Sequence, residues 1–392
     1  MGDKLRILID ATCVAKVKAG VGIYAKNLIE NLMTILEAAD GRWELFVLAQ
    51  DDDKELDFSH RRFVTMLWVP SAAFRIFGLR LILEQLYLPY LLTRLRVDVV
   101  HSLHYAFPLL PTRARRVVTI HDMTFFIMPE VHERIKVIYF RFFLRAVIHL
   151  PIDVIFVSKS AQADFLAKLS QPPGRTFVIA HGKDKNLLPL ASSAKSCRLR
   201  EKYGLPERFV LYIGTIEPRK NLHRLVAAFA AVAAEDAEIG LVIVGKMGWM
   251  MDSLSRTVEQ WGLLSRTIFT GFIPEEEKPS FFAACEIFVY PSLYEGFGLP
   301  VLEAMACGTP TITSNISSLP EVAGDAAVLI DPRNVDELAA AIRALLADQP
   351  MRQELRRRGI ERSKQFTWEN TASRTANIYL TPQPDRARST DL

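Results

Sequence analysis

"VYPSLYEGFGLPVLEAMACG", residues 289–308, sets two glutamates, Glu295 and Glu303, around a glycine turn and a proline. The apolar, aromatic start reads as the end of a strand. "EGFG" supplies a flexible turn whose backbone can approach a ligand closely, and Pro300 suits the first turn of a helix. Glu303 is expected within that first turn, with Leu302, Met305 and Ala306 packed inward. A helix start offers unpaired N–H groups and positive potential, a ready site for phosphate. The stretch is therefore one strand–turn–helix unit with carboxylates at its mouth.

The same unit recurs on both sides. β-rich runs stand at "LRILID" (5–10), "ELFVLA" (44–49), "VDVVHS" (97–102), "RVVTIHD" (116–122) and "DVIFVS" (153–158). Helical stretches fill 22–37, 79–96, 132–149 and 160–169. The polar segment 191–208 reads as a linker or domain edge. A second series then begins with "FVLYIGT" (209–215) and continues through "EIGLVIVG", "RTIFTGF", "EIFVYPS", "TPTITSN" and "AAVLIDP". Continuous apolar strands alternating with helices imply parallel sheets covered on both faces. The expected fold class is α/β, with two doubly wound, Rossmann-like domains. They span 1–190 and 191–366, followed by a terminal helix at 367–380 that packs back on the first domain. The tail 381–392 is expected to be disordered. Ligands of such sheets bind at the carboxyl ends of the strands, so two facing sheets imply a cleft between domains.

Composition agrees with this reading. A chain of 392 residues, 50% apolar and 23% charged, is globular and too long for one ordinary core. The four cysteines form no C-x-x-C pair, which suits a reducing compartment. No secretory signal is read at the start, and the apolar stretches 76–92 and 137–157 are interrupted by charges. The expected location is the cytoplasm. Residues 1–190 hold 25 Lys+Arg against 19 Asp+Glu, and within 75–145 eleven basic residues interleave with apolar ones. Such a region can lie on an anionic bilayer, at the inner face of the cytoplasmic membrane, or be an ordinary solvated surface. No recognition motif accompanies the charge, so nucleic acid is not an expected partner.

Three further motifs bear on chemistry. In "IGTIEPRKNLHRLVAAF" (213–229), Arg219 and Lys220 fall where a strand feeds a helix, with Asn221 as its cap. Two adjacent cations there suit a diphosphate: arginine forks onto two oxygens and lysine adds point charge. In "KAGVGIYAKN" (18–27), Gly20 and Gly22 open a helix, but some ten residues after the first strand. That spacing argues against a dinucleotide fingerprint and for a glycine loop reaching an anion. His121 closes a strand at the ligand-binding end of the first domain. His101-x-x-His104 lacks a third metal ligand, and "DDD" (51–53) reads as a solvated acidic loop, so no metal site is expected.

Together these pieces resemble glycosyltransferase family 4, the retaining GT-B enzymes. "IGTIEPRKNL", "GFIPEEE", "VYPSLYEGFGLPVLEAMACGTP" and "SNISSLPEVAGDAAVLIDP" stand in family order at family-like spacing. The resemblance implies that Glu303 holds the donor's ribose hydroxyls. It implies that Glu295, with the Phe297 and Gly298 backbone, addresses the transferred sugar and phosphate. Arg219 and Lys220 would hold the diphosphate, Gly20 and Gly22 cover it, His121 lie beside the sugar, and the loop at Phe272 and Ile273 carry the base. It also implies retention of configuration, no essential metal and no cofactor beyond the nucleotide-sugar donor. "RILIDAT", "GVGIYAKNL", "VVHSLHYAFPLL" and "VTIHDMTFFIMPE" look like bacterial mannosyltransferases of surface polysaccharide, including lipopolysaccharide. GDP-mannose is then the expected donor, and a saccharide or lipid-linked saccharide the acceptor. Competing readings are a UDP- or ADP-sugar donor, an NAD-dependent oxidoreductase, and a catalytically dead sugar-binding scaffold. The oxidoreductase needs a glycine fingerprint directly after a strand, which is missing.

Overall fold

The computed structural model describes residues 4–14, 20–39, 42–189, 194–245 and 251–381. The tail from residue 382 onward, and residues 18 and 19 of the glycine motif, lie outside these residues.

Two parallel sheets organise the chain. The first contains β1 (Leu5–Asp10), β2 (Trp43–Gln50), β3 (Val64–Val69), β4 (Val99–Ser102), β5 (Arg115–Ile120), β6 (Ile152–Phe156) and β7 (Thr176–Val178), in the order β3-β2-β1-β4-β5-β6-β7. The second contains β8 (Arg208–Ile213), β9 (Ile239–Val244), β10 (Thr267–Gly271), β11 (Ile287–Tyr290), β12 (Thr311–Ser314) and β13 (Val328–Ile330), in the order β10-β9-β8-β11-β12-β13. Every residue of β9 and β11 is buried, as helices on both faces require. In each sheet the strand order reverses once, between β1 and β4 in the first and between β8 and β11 in the second. A crevice opens at the carboxyl ends of the strands wherever such a reversal occurs.

The structure departs from the sequence reading in three places. β3 and β7 are additional strands, one at each edge of the first sheet. Residues 194–203 form a helix rather than a linker, and Tyr203 packs 5.3 Å from the Phe281 ring. A solvated helix and a linker share a polar composition, so polarity alone could not separate them. The single helix expected at 79–96 is broken into Phe77–Ile82, a π-helical turn Leu83–Tyr87, and Leu88–Arg94. The turn buries Glu84, while Leu86 and Tyr87 beside it are exposed.

The last helix, Trp368–Leu380, packs on the helix Gly20–Ala38 of the first domain although it follows the second sheet in sequence. Its carboxyl end meets Arg115, which donates to the carbonyls of Ile378 (2.7 Å) and Tyr379 (2.6 Å). A cation there satisfies orphan carbonyls and complements the helix dipole. Tyr379 also pairs its hydroxyl with His101 Nδ1 at 2.6 Å, while His101 Nε2 contacts Thr119 at 2.8 Å. Both partners are buried. Tyr379→Phe should therefore cost about 1–3 kcal/mol by leaving a buried imidazole nitrogen unpaired. Urea unfolding at neutral pH measures this, and an unchanged midpoint would show that the last helix contributes only apolar contact.

Candidate active site

The crevice at the β8/β11 reversal gathers four charges. β8 is followed by a tight turn, Pro218–Lys220, that carries Arg219 and Lys220. β11 leads into the loop that carries Glu295. Glu295 grips both cations: its Oε1 accepts from Lys220 Nζ at 2.6 Å and its Oε2 from Arg219 Nη1 at 2.9 Å. Arg219 Nη2 also pairs with Glu217 at 2.7 Å. Two cations and two carboxylates thus balance. Ser292 Oγ adds a bond to Glu295 Oε1, and the Tyr290 hydroxyl accepts from Lys220, each at 2.6 Å.

Burial shapes these groups. Lys220 and Glu295 are only 5% and 7% exposed. Burial alone would raise the Glu295 carboxyl, but Lys220 and Arg219 override it and hold it at about 2. Glu295 is therefore ionised at neutral pH. The Lys220 ammonium is pushed down by burial and by adjacent Arg219.

The helix after the glycine turn is Leu299–Ala306, and Gly298 sits before it with φ +108°. A Cβ at Gly298 would lie 2.7 Å from Leu319 Cδ2, so the position excludes larger residues on both counts. Glu303 is the fifth helical residue, just past the first turn in which the sequence reading placed it. Pro300 occupies the second position, in the first turn as read. Glu303 is buried and pairs with Lys278 Nζ at 3.3 Å, and Lys278 also holds Glu275 at 2.7 Å. Burial raises the Glu303 carboxyl against the pull of Lys278.

Other expected residues scatter more. Phe272 is 59% exposed, whereas the Ile273 side chain belongs to the apolar core, leaving only the Phe272 ring available to a planar ligand. Gly20 and Gly22 open the helix Gly20–Ala38 as read, and they lie in its first turn rather than in a glycine loop. Asn221 does not cap its helix through its side chain; it adopts φ +64° and donates to the Pro291 and Pro332 carbonyls. Asp51 accepts from Ser71 N–H at 2.9 Å. Among the described residues, no group of three or more His, Cys, Asp or Glu is placed to hold a metal ion.

His121 follows β5 and faces the Glu295 loop from the other sheet. Its Nε2 donates to the Leu103 carbonyl at 2.8 Å, and burial lowers its pKa, so the ring is neutral. Nδ1 is then left as an acceptor. A Cβ on Gly296 would lie 1.9 Å from the His121 carbonyl oxygen, which shows how closely the loop meets the first sheet. The same face is tied by Ser158 Oγ to Gly296 O (2.7 Å), Tyr294 OH to Asp164 (2.8 Å) and Lys159 N to Glu321 (2.8 Å). His181 stacks on Phe297 at 5.0 Å.

Sequence reasoning missed Glu217, Tyr290, Ser292, Lys278 and His181. Glu217 and Ser292 lie inside the quoted motifs and were legible there. Lys278 and His181 reach the site from distant elements, with no local signal.

Two family models match the chain: "Glycosyltransferase Family 4" over residues 19–187 and "Glycosyl transferases group 1" over residues 197–362. The O-antigen chain mannosyltransferase B of Escherichia coli is 37% identical over 273 residues, 69% of this chain and 71% of that protein. The serotype-specific mannosyltransferase WbdA of Escherichia coli is 35% identical over 225 residues, which is 56% of this chain but only 28% of that protein. Among solved structures, sucrose-phosphate synthase from Thermosynechococcus elongatus superimposes with a TM-score of 0.75 at 23% identity, covering 96% and 98% of the two chains. The likeness at that identity establishes the fold, GT-B.

Close approach at Gly296 generates a test. Gly296→Ala should push the loop off His121 and reduce turnover on the order of a hundredfold, the cost of a misplacement of about 1 Å. The protein should still melt cooperatively near the parent temperature. Unchanged turnover would mean that the two sheets work further apart than this contact.

Proposed function

The chain belongs to glycosyltransferase family 4, and from that premise we propose that it transfers mannose from GDP-mannose, with retention, to a growing surface polysaccharide. The observation that carries the reading is the balanced cluster of Arg219, Lys220, Glu217 and Glu295 in the β8/β11 crevice. The difficult step in such a transfer is expulsion of a nucleoside diphosphate from an anomeric carbon. Fixed cations stabilise the charge that develops on that leaving group. Glu295 supports this by holding both cations in place before the donor arrives. Its low pKa rules out a role as proton donor. Neutral His121 has one ring nitrogen free to accept from a sugar hydroxyl. Glu303 is a buried acceptor for ribose hydroxyls, and Phe272 an exposed ring for the base. Retention follows if the leaving phosphate takes the acceptor's proton on the face it vacates.

The mannosyltransferase names of the two Escherichia coli relatives support mannose and a surface polysaccharide. A lipid-linked acceptor is supported by the first sheet's outer helices. Leu79, Ile82, Leu86 and Tyr90 form one exposed apolar stripe, and Ile135, Ile138 and Phe142 another. The two helical segments touch through Tyr139 and Glu84. Exposed Arg94 and Arg96 lie at the end of the first segment and exposed Lys136 lies on the second, so an anionic bilayer is the matching surface. Arg80, another of the basic residues within 75–145, turns inward to Glu84 at 2.7 Å. No described helix is long and apolar enough to cross a membrane.

Thermal-shift titration with GDP, UDP, ADP and NAD tests the donor assignment. GDP should give the largest shift, and a larger one with NAD would overturn the reading. Arg219→Ala and Lys220→Ala should each lower turnover about a hundredfold to a thousandfold. The anomeric proton of the product, followed by NMR, reports retention or inversion.

Vesicle flotation tests the surface. The protein should float with anionic vesicles at low salt, release as salt rises, and ignore neutral ones. Ile138→Glu with Leu86→Glu should abolish flotation while GDP affinity stays constant. Flotation by the double variant at the parent level would reduce the stripes to a solvated surface.

A further inference from the structure

Lys278 stands where local structure disfavours a cation. It is the first residue of the short helix Lys278–Ala284, at the end where the helix dipole opposes positive charge. Its side chain is nevertheless only 13% exposed. The ammonium donates to Glu303 Oε2 at 3.3 Å and pairs with Glu275 Oε2 at 2.7 Å. A lysine held this way gives up both rotamer freedom and hydration, so the position calls for a compensating role.

The helix is fixed against the element that carries Glu303. Thr309 Oγ1, just past the end of the Glu303 helix, donates to the Phe282 carbonyl at 2.8 Å, and Phe281 and Phe282 are buried. Lys278 therefore meets Glu303 from a rigid base. Glu303 needs such a partner. It is 6% exposed, and burial, Glu275 and Asp184 all act against its charge while Lys278 opposes them. Its hydrogen bonding is half filled: Oε2 takes Lys278, and no described residue donates to Oε1. A buried carboxylate oxygen without a donor marks a place where a ligand hydroxyl fits.

We propose that Lys278 is a positioning residue for the nucleotide: it holds the Glu303 carboxylate so that Oε1 accepts from the ribose hydroxyls. The proposal rests on the reading of Glu303 as ribose acceptor and adds what makes that buried acid fit for it. Hydrogen bonds to an ionised carboxylate are roughly twice as strong as those between neutral groups. Without the ammonium, the acid is neutral over more of the pH range and free to turn.

Comparing ribonucleotides with their dideoxy counterparts isolates that bond. Calorimetry on the full chain would pair GDP with 2′,3′-dideoxy-GDP, and UDP with 2′,3′-dideoxy-UDP, so that the answer does not depend on the base. The parent should favour the ribonucleotide about tenfold to a hundredfold, as a hydrogen bond to a charged group does. Lys278→Met should cut the preference to roughly threefold or less, that of a neutral bond. Lys278→Gln keeps a donor without the charge and gives the same reading should the methionine variant unfold.

The pH dependence of the preference is a second readout. Lys278, Glu275 and Asp184 act on Glu303, and so does Cys307, four residues on. Burial and Glu303 push the Cys307 thiol up to about 12 against Lys183, so it stays protonated near neutral pH. The preference is present above the Glu303 pKa and lost as pH falls through it. Removing Lys278 should therefore move that midpoint to higher pH. An equal loss of affinity for both nucleotides, with preference and midpoint unchanged, would mean that Lys278 only braces its helix and would overturn the proposal. No preference in the parent would remove ribose from Glu303 and take the proposal with it. A preference confined to the uridine pair and lost in the variants would support the proposal while the guanine assignment falls.

Discussion

Glu295 between Arg219 and Lys220 is the contact on which the rest of the second domain's site depends. Two like charges on adjacent residues repel, and burying them would be costly without a carboxylate to compensate. Glu295 supplies it with one oxygen for each cation. Its own backbone is fixed in turn: Ser317 Oγ accepts from its N–H at 3.0 Å, and Ser317 and Ser318 donate to its carbonyl. Phe297 O is held by Ser318 as well. A loop anchored at so many points keeps its geometry without a ligand, which is what electrostatic preorganisation requires.

The constraint extends to the first domain through Gly296. Its carbonyl accepts from Ser158, and its missing side chain admits the His121 carbonyl. Tyr294, one residue before Glu295, donates to Asp164 and accepts from Met123 N–H. The loop that orders the cations is therefore also the loop that meets the other sheet. Chemistry and closure share one short segment. The terminal helix adds a second tie, since its start lies beside His181, which stacks on Phe297.

Both crevices follow from one topological fact. A doubly wound sheet sends its connections to opposite faces on either side of its first strand, and the loops part at that point. In the second sheet the gap is filled with charge, in the first with the buried carboxylates Asp10 and Glu84 and the unpaired Ser102 hydroxyl. The π-helical turn at Leu83–Tyr87 matters to the latter because it buries Glu84 while Leu86 and Tyr87 beside it are exposed.

The sequence by itself determined the two sheets, because their strands are short, apolar and separated by helical periodicity, and these signals are local. It also determined the strand–glycine–helix unit around Glu295 and the cation pair at Arg219 and Lys220, where turn chemistry and charge adjoin in the chain. The family was legible from those motifs. Only the tertiary structure decided that Glu295 neutralises the pair, since nothing local joins residues so far apart in the chain. It alone decided that Ile273 belongs to the core while Phe272 is exposed, and that Glu303 answers to Lys278. Asp10, Glu84 and Ser102 come from three separate elements, and their meeting depends on the strand order. Charge and hydrophobicity are properties of residues and can be read in a line, but neutralisation, burial and an unfilled hydrogen bond are properties of neighbours, and those exist only once the chain has folded.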